Sequence, residues 1–221
     1  MGIDYNNVIV TDGLSVYLDA ANPRSYSGAG LTANGLVGGI GGTLVNGTGF
    51  SSSNNGSFIF DGTNDYIYAP INTNLFSTQA TMIMWLKNDI ATPAQAQTGI
   101  MGYFGANGGI DHYPWSDGAA YLSTFRNSRI GPITLSASIS RDSVHMLSVT
   151  TDAVNWKLYQ NTTLVTTQAA LSSVYLGSYF IGKSNDDFCY QGKIYSFMIY
   201  NRALSATEIL QNYNAMKGRY R

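Results

Sequence analysis

The sequence predicts an all-β protein, a sandwich or barrel, and three observations carry that expectation. Short strand-like runs recur about every 8–12 residues with turn residues between them. Aromatic residues make up 13% of the chain and it holds 24 glycines, a composition of strands and tight turns rather than helices. Charged residues are only 11% against roughly 25% in an average soluble domain, while 44% hydrophobic residues suffice to fill a core. A length of 221 residues suits one such domain, expected to span residues 1–221 with its core at about 12–216.

The elements follow in order. "LSVYLDA" (14–20) alternates, placing Leu14, Val16 and Leu18 on one face and Ser15, Tyr17 and Asp19 on the other. The glycine-rich stretch 28–49 reads as a long loop with one short strand at "TLV". "SFIF" and "DYIYA" flank Asp61, Gly62, Thr63, Asn64 and Asp65, whose residue types are those of a tight corner. "ATMIMWLKN" (80–88) is almost continuously apolar, as expected of a central strand covered on both faces or lying under a loop. Strand-like runs continue at 99–105, 119–125, 145–151, 155–161, "TTLVTTQ", 178–184 and 192–201. One segment departs from the pattern: "LSATEILQNYNAM" (204–216) has Ser205 at an N-cap position and Glu208 three residues on. That is a capping box, and Ile209, Leu210, Tyr213 and Met216 follow at helical spacing, so one helix is expected to pack on the sandwich.

Several classes are disfavoured at once. A net charge of −1 supplies no basic field for nucleic acid and no polybasic patch for a membrane. No stretch approaches the ~20 apolar residues of a membrane span. The opening residues lack a basic segment followed by a long apolar run, so no signal peptide is expected, and synthesis in a reducing cytosol follows. Cys189 stands alone, which rules out an internal disulfide; without a base beside it, it reads as a small neutral residue. Sequons at Asn46, Asn55 and Asn161 carry little meaning without secretion.

The segments "FIFDGTNDYIYA", "ATMIMWLKN", "HMLSVTTDAVNWKLYQNTTLV" and "YFIGKSNDDFCYQGKIYSFMIYNRALSATEILQNYNA" resemble the laminin-G-like jelly rolls of the concanavalin A-like lectin and glucanase superfamily. The last is the most specific: Ile-Gly, a loop, Gly-x-Ile, then a strand ending in Tyr-Asn-Arg-Ala-Leu-Ser before a Glu-bearing helix. The resemblance implies an all-β, two-sheet antiparallel jelly-roll sandwich with one short C-terminal helix. "IVTDGLSVYLDAANPRSYSG" (9–28) is similar to the opening of such domains in tailed-phage virion proteins. Those relatives usually continue with a Trp-Tyr-Asp-Leu-Ser-Gly-like segment, where this chain reads "LTANGLVGGIGG" (31–42).

Candidate sites follow from chemistry. Retaining glucanases of the superfamily use paired carboxylates on one strand, about 5.5 Å apart. This chain has a single glutamate, Glu208, at the helix cap, and its close aspartate pairs, Asp61/Asp65 and Asp186/Asp187, sit in turns. His112 and His145 form no Ser-His-Asp pattern, and His145 reads as a satisfied strand residue. No catalytic activity is expected. In pentraxins, which share the implied fold, an acidic loop binds calcium beside an Asp-Asn pair from an earlier loop. The matching loops here, 183–192 and 104–118, offer Asp186, Asp187, Asn107 and Asp111 as Ca²⁺ ligands. The extra pentraxin glutamate and glutamine are missing, so a plain solvated turn stands beside the calcium reading. In the 104–118 loop, His112, Tyr113 and Trp115 cluster around Pro114 and are the ligand-binding candidates, because aromatic faces stack on sugar rings. The competing reading is an aromatic plug on the sandwich or in a subunit interface.

Two functions are therefore expected in order. The first is a non-enzymatic phage virion component, a capsid decoration or tail-fibre jelly roll in many copies or as a homo-oligomer, partnered by other virion subunits. The alternative is a lectin-like module for host-surface glycans, dependent on calcium if the metal loops are real. The basic tail "MKGRYR" is expected to be exposed and able to anchor to an acidic neighbour.

Overall fold

The computed structural model of the chain describes residues 8–70, 79–89, 100–103, 109–113, 119–124, 128–133, 143–169, 179–184 and 188–220. In chain order its strands are β1 (Leu14–Asp19), β2 (Thr32–Ala33), β3 (Gly42–Val45), β4 (Gly49–Ser51), β5 (Ser57–Asp61), β6 (Tyr66–Ala69), β7 (Gln79–Asn88) and β8 (Met101–Tyr103). There follow β9 (Gly109–His112), β10 (Ala120–Thr124), β11 (Ser128–Ile133), β12 (His145–Asp152), β13 (Asn155–Gln160), β14 (Thr163–Ala169), β15 (Tyr179–Ile181) and β16 (Gln191–Tyr200). One helix, α1 (Ala206–Met216), closes the order.

The strands form two antiparallel sheets of eight, the sandwich that the sequence predicts. The first runs β14-β13-β12-β7-β16-β5-β4, with β1 pairing along β16. The second runs β11-β10-β9-β8-β15-β6-β3-β2. The glycine-rich stretch thus holds three short strands rather than one, and β9 forms inside what reads in sequence as a continuous loop. Glycine and threonine give neither region an apolar alternation; pairing with neighbours distant in sequence makes them strands.

Between the sheets lies a core that includes Leu18, Phe58, Phe60, Ile67, Met84, Leu86, Tyr179, Ile181 and Phe197. Burial of each such side chain stabilises by about 1.5–3 kcal/mol. β7 is central and buried on both faces, as its unbroken apolar run requires: Met82, Met84 and Leu86 enter this core while Ile83 and Trp85 face outward. Register shifts break simple alternation twice. One between Leu14 and Val16 sends Leu14 to the outer side with Tyr17, away from Val16 and Leu18, against the expected face. Another in β16 between Ile194 and Ser196 lets both Ile194 and Phe197 face the core.

α1 covers the outer face of the first sheet. Ser205 accepts from the Glu208 amide and Glu208 reaches back to Ser205, the expected capping box. Ile209 and Met216 are buried against Ile83, Trp85, Met198 and Tyr200, whereas Leu210, expected on the packing face, is 44% exposed. Asn212 is buried and accepts from the Val10 amide at 2.8 Å, tying the N-terminal segment to the helix. The tail after α1 continues the cover. Tyr220 packs on Trp85 and Tyr195, and Arg219 pairs at 2.8 Å with the buried carboxylate of Asp19. The expected free basic anchor is therefore corrected at Arg219, whose charge is already answered inside the fold.

Candidate functional site

The outer face of the second sheet has no helix over it among the described residues. Alternation on β6 turns Ile67 and Ala69 inward, both fully buried, and leaves Tyr66 and Tyr68 half-exposed on the outside. On β15, Tyr179 and Ile181 face the core and Phe180 faces out. Phe180 stands in register with Tyr68, and Tyr68 with exposed Thr43, which pairs in turn with exposed Thr32. The three rings form one cluster: the Phe180 centroid lies 5.3 Å from that of Tyr66, edge-on at 84°, and 5.9 Å from that of Tyr68. The Lys183 ammonium sits 5.1 Å from the Tyr66 centroid and 5.6 Å from that of Phe180, within cation–π range. This is a part-exposed aromatic platform rimmed by hydroxyls and one cation. It can take the apolar face of a ring while donors at its margin meet that ring's polar groups.

The two carboxylates of the 61–65 corner have another job. The Thr63 amide donates to Asp61 Oδ1 at 2.7 Å, the Asp61 amide donates to Asp65 Oδ2 at 3.2 Å, and Gly62 takes the left-handed backbone at φ 79°. β5 belongs to the first sheet and β6 to the second, so this corner carries the chain across the sandwich. Burial, then the neighbouring Asp61, pushes the Asp65 carboxyl above its ordinary pKa. Glu208 is likewise committed: Arg202 grips both its oxygens, at 2.6 and 3.1 Å, and with Ser205 pulls its pKa down to about 2.

Tyr113 is corrected as a ligand-stacking candidate. Its side chain is fully buried, so no sugar can reach its ring. Its hydroxyl donates to His145 Nε2 and accepts from Gln160 Nε2 at 3.5 Å. His145 Nδ1 faces the Ser143 carbonyl at 2.8 Å, which fixes the neutral tautomer, and burial holds its pKa below the usual histidine value. Tyr113 is thus the plug of the competing reading, and His145 the satisfied strand residue expected. Asp111 and His112 lie on β9, where His112 pairs in register with Tyr121. Trp115, Asn107, Asp186 and Asp187 lie outside the described residues; within the described residues no cluster of three metal-ligating side chains occurs.

The platform was missed in sequence although its signal was present. "DYIYA" and "SYFIG" alternate aromatic with aliphatic or small residues, but β6 and β15 are more than a hundred positions apart, and nothing local makes them neighbours.

A family model described as the concanavalin A-like lectin/glucanases superfamily matches residues 61–210. No curated protein matches the chain by sequence. Among solved structures the chain is similar to domain 4 of AbnA, a GH43 extracellular arabinanase from Geobacillus stearothermophilus solved in complex with arabinotriose. The TM-score is 0.71 at 17% identity, over 90% of this chain and 98% of that one. It is similar to the binding domain of botulinum neurotoxin serotype D, with a TM-score of 0.67 at 17% identity, covering 93% of this chain and 52% of that one. It also matches Trypanosoma rangeli sialidase, solved with the inhibitor DANA, at a TM-score of 0.66 and 12% identity, covering 97% of this chain and 34% of that one. The chain spans about half the length of the toxin domain and about a third of the sialidase. At these identities the likeness is one of fold.

Proposed function

The chain belongs to the concanavalin A-like lectin/glucanases superfamily, and from that premise we propose that it is a non-catalytic carbohydrate-binding module whose ligand rests on the outer face of the second sheet. The observation that carries the reading is the ring cluster of Tyr66, Tyr68 and Phe180 beside Lys183, presented on a face no helix covers among the described residues. An arabinanase domain holding arabinotriose and a toxin binding domain among the fold's neighbours support it. The non-catalytic part of the reading is supported by the engagement of the sole glutamate with Arg202 and Ser205. The setting proposed with it is many copies on a particle, a reading supported by the resemblance of residues 9–28 to the opening of phage virion domains. There, single sites near ~1 mM reach useful strength through avidity of roughly 10²–10⁴.

The test is a glycan array with the purified protein, run with calcium and with a chelator, followed by titration of the bound glycan against Tyr68→Ala. Expected is binding that weakens about tenfold or more in the variant, about 1.4 kcal/mol. An array without signal from folded protein, or an unchanged affinity in Tyr68→Ala, refutes the reading. Loss of signal under the chelator assigns a role to calcium as well.

A further inference from the structure

Two crossings between the sheets lie side by side. The turn at 45–48 carries the chain from β3 in the second sheet to β4 in the first, and the 61–65 corner carries it back from β5 to β6. Asn46 Nδ2 donates to the Asn64 carbonyl at 3.1 Å, and the Thr48 hydroxyl lies 2.9 Å from the carbonyls of both Val45 and Tyr66, so the two turns are stitched together. At their junction sits Asp65, 4% exposed. Its Oδ2 accepts from the Asp61 amide at 3.2 Å, but its Oδ1 is buried with no hydrogen-bond partner. That oxygen faces Gly47: a Cβ added there would meet Asp65 Oδ1 at 3.5 Å and no other described atom within 4 Å. Asp61 places a second carboxylate on the same corner, and among the described residues no ion pair reaches either one.

Buried polar atoms are nearly always paired, and a buried carboxylate oxygen left alone is among the most costly exceptions. A second acidic group on the same corner adds to that cost: burial first, and Asp61 second, displace the Asp65 carboxyl upward from its ordinary range. A cation would relieve both penalties at once. The oxygens on offer are carboxylate, backbone carbonyl and side-chain amide, and residues 45–48 and 61–66 contain no histidine or cysteine, so the donor set is hard and unlike a zinc site. An irregular set of mixed oxygens suits calcium, whereas magnesium demands a near-ideal octahedron. We propose that the paired crossings form a calcium site: Asp65 Oδ1 and the Asp61 carboxylate supply the charge, the Asn64 carbonyl and Asn46 Oδ1 supply neutral oxygens, and water completes the shell. These residues are distinct from the calcium candidates in the 104–118 and 183–192 loops, and the site does not depend on the carbohydrate reading. The ion clamps both crossings. Asp65 immediately precedes Tyr66, so it also fixes the start of the strand that carries two of the platform rings.

The experiment is calorimetric titration of the full chain, stripped of metal, with calcium chloride, paired with thermal melting in calcium and in chelator. Both are repeated with Asp61→Asn and Asp65→Asn, and no glycan is needed. The expected result is binding with a dissociation constant of ~0.1 mM, in the range of weak calcium modules. Calcium at a hundredfold excess over that constant should raise the melting temperature by about 5 °C or more. Each substitution keeps the side chain's shape and removes one charge, and each should weaken calcium binding at least ~10-fold and abolish the melting shift. Circular dichroism confirms that the variants are folded. Should Asp65→Asn fail to fold, Asp61→Asn decides alone, since Asp61 is exposed and asparagine still accepts from the Thr63 amide. No heat and no melting shift with calcium overturns the proposal. Calcium affinity unchanged in a folded variant overturns it too, because the ion then sits elsewhere.

Discussion

The two outer faces of the sandwich carry the same kind of residue and put it to opposite uses. On the first sheet, Trp85 and Tyr195 lie beneath Tyr213 and Tyr220, with Trp85 and Tyr213 stacked at 5.6 Å and 15°. On the second, Tyr66, Tyr68 and Phe180 meet one another at similar distances but stay half-exposed. Aromatic content therefore does not separate a core from a binding surface. What separates them is the cover: α1 and the tail supply one for the first sheet, locked by Arg219 on buried Asp19 and by Asn212 on the Val10 backbone. Among the described residues no helix covers the second sheet in the same way, and its rings stay half-buried.

Substitutions on the two faces should separate accordingly. Ile209→Ala, which empties a fully buried position under α1, is expected to cost about 3 kcal/mol in chemical denaturation. The same substitution should leave glycan affinity of the folded protein unchanged; a matched loss of affinity would show that the two faces are coupled.

Glu208→Gln gives a smaller effect with a pH signature. The carboxyl's folded pKa, about 2, lies below its ordinary value of 4.5, so the unfolded chain binds the proton more readily. Its contribution is fully present above about pH 4.5 and disappears as pH falls toward 2. With the side chain 27% exposed, solvent screening limits that contribution to roughly 1–2 kcal/mol, cap included. Wild type should therefore exceed the variant in stability at pH 6 and converge with it only once pH falls below about 2. A gap independent of pH would assign the helix start to packing alone.

The smallest stability effect is expected on the open face. Tyr68→Ala should change unfolding free energy by under about 1 kcal/mol, because the ring is only half-buried and its neighbours are not sealed over it. A loss as large as that of Ile209→Ala would mark the platform as structural.

Much of this molecule is legible in its order of residues. The capping box at Ser205 and Glu208, the doubly buried run of β7 and the corner at Asp61–Asp65 depend on spacings of a few residues, and the structure holds each of them where local chemistry puts it. The segments resembling the superfamily are likewise local strings, so the sandwich itself could be read from them. Three things could not. The register shift beside Leu14 depends on its pairing with β16, not on the alternation of β1. Tyr113 is indistinguishable in sequence from a surface aromatic, and it becomes a plug because His145 and Gln160, more than thirty residues on, meet its hydroxyl inside the fold. The platform exists only because β6 and β15 become neighbours. Sequence determines which residues are apolar, which cap and which turn, since those are short-range properties. Which aromatic is covered and which stays part-exposed is decided by strand order and by the helix laid over one face, and both are set by contacts between distant parts of the chain.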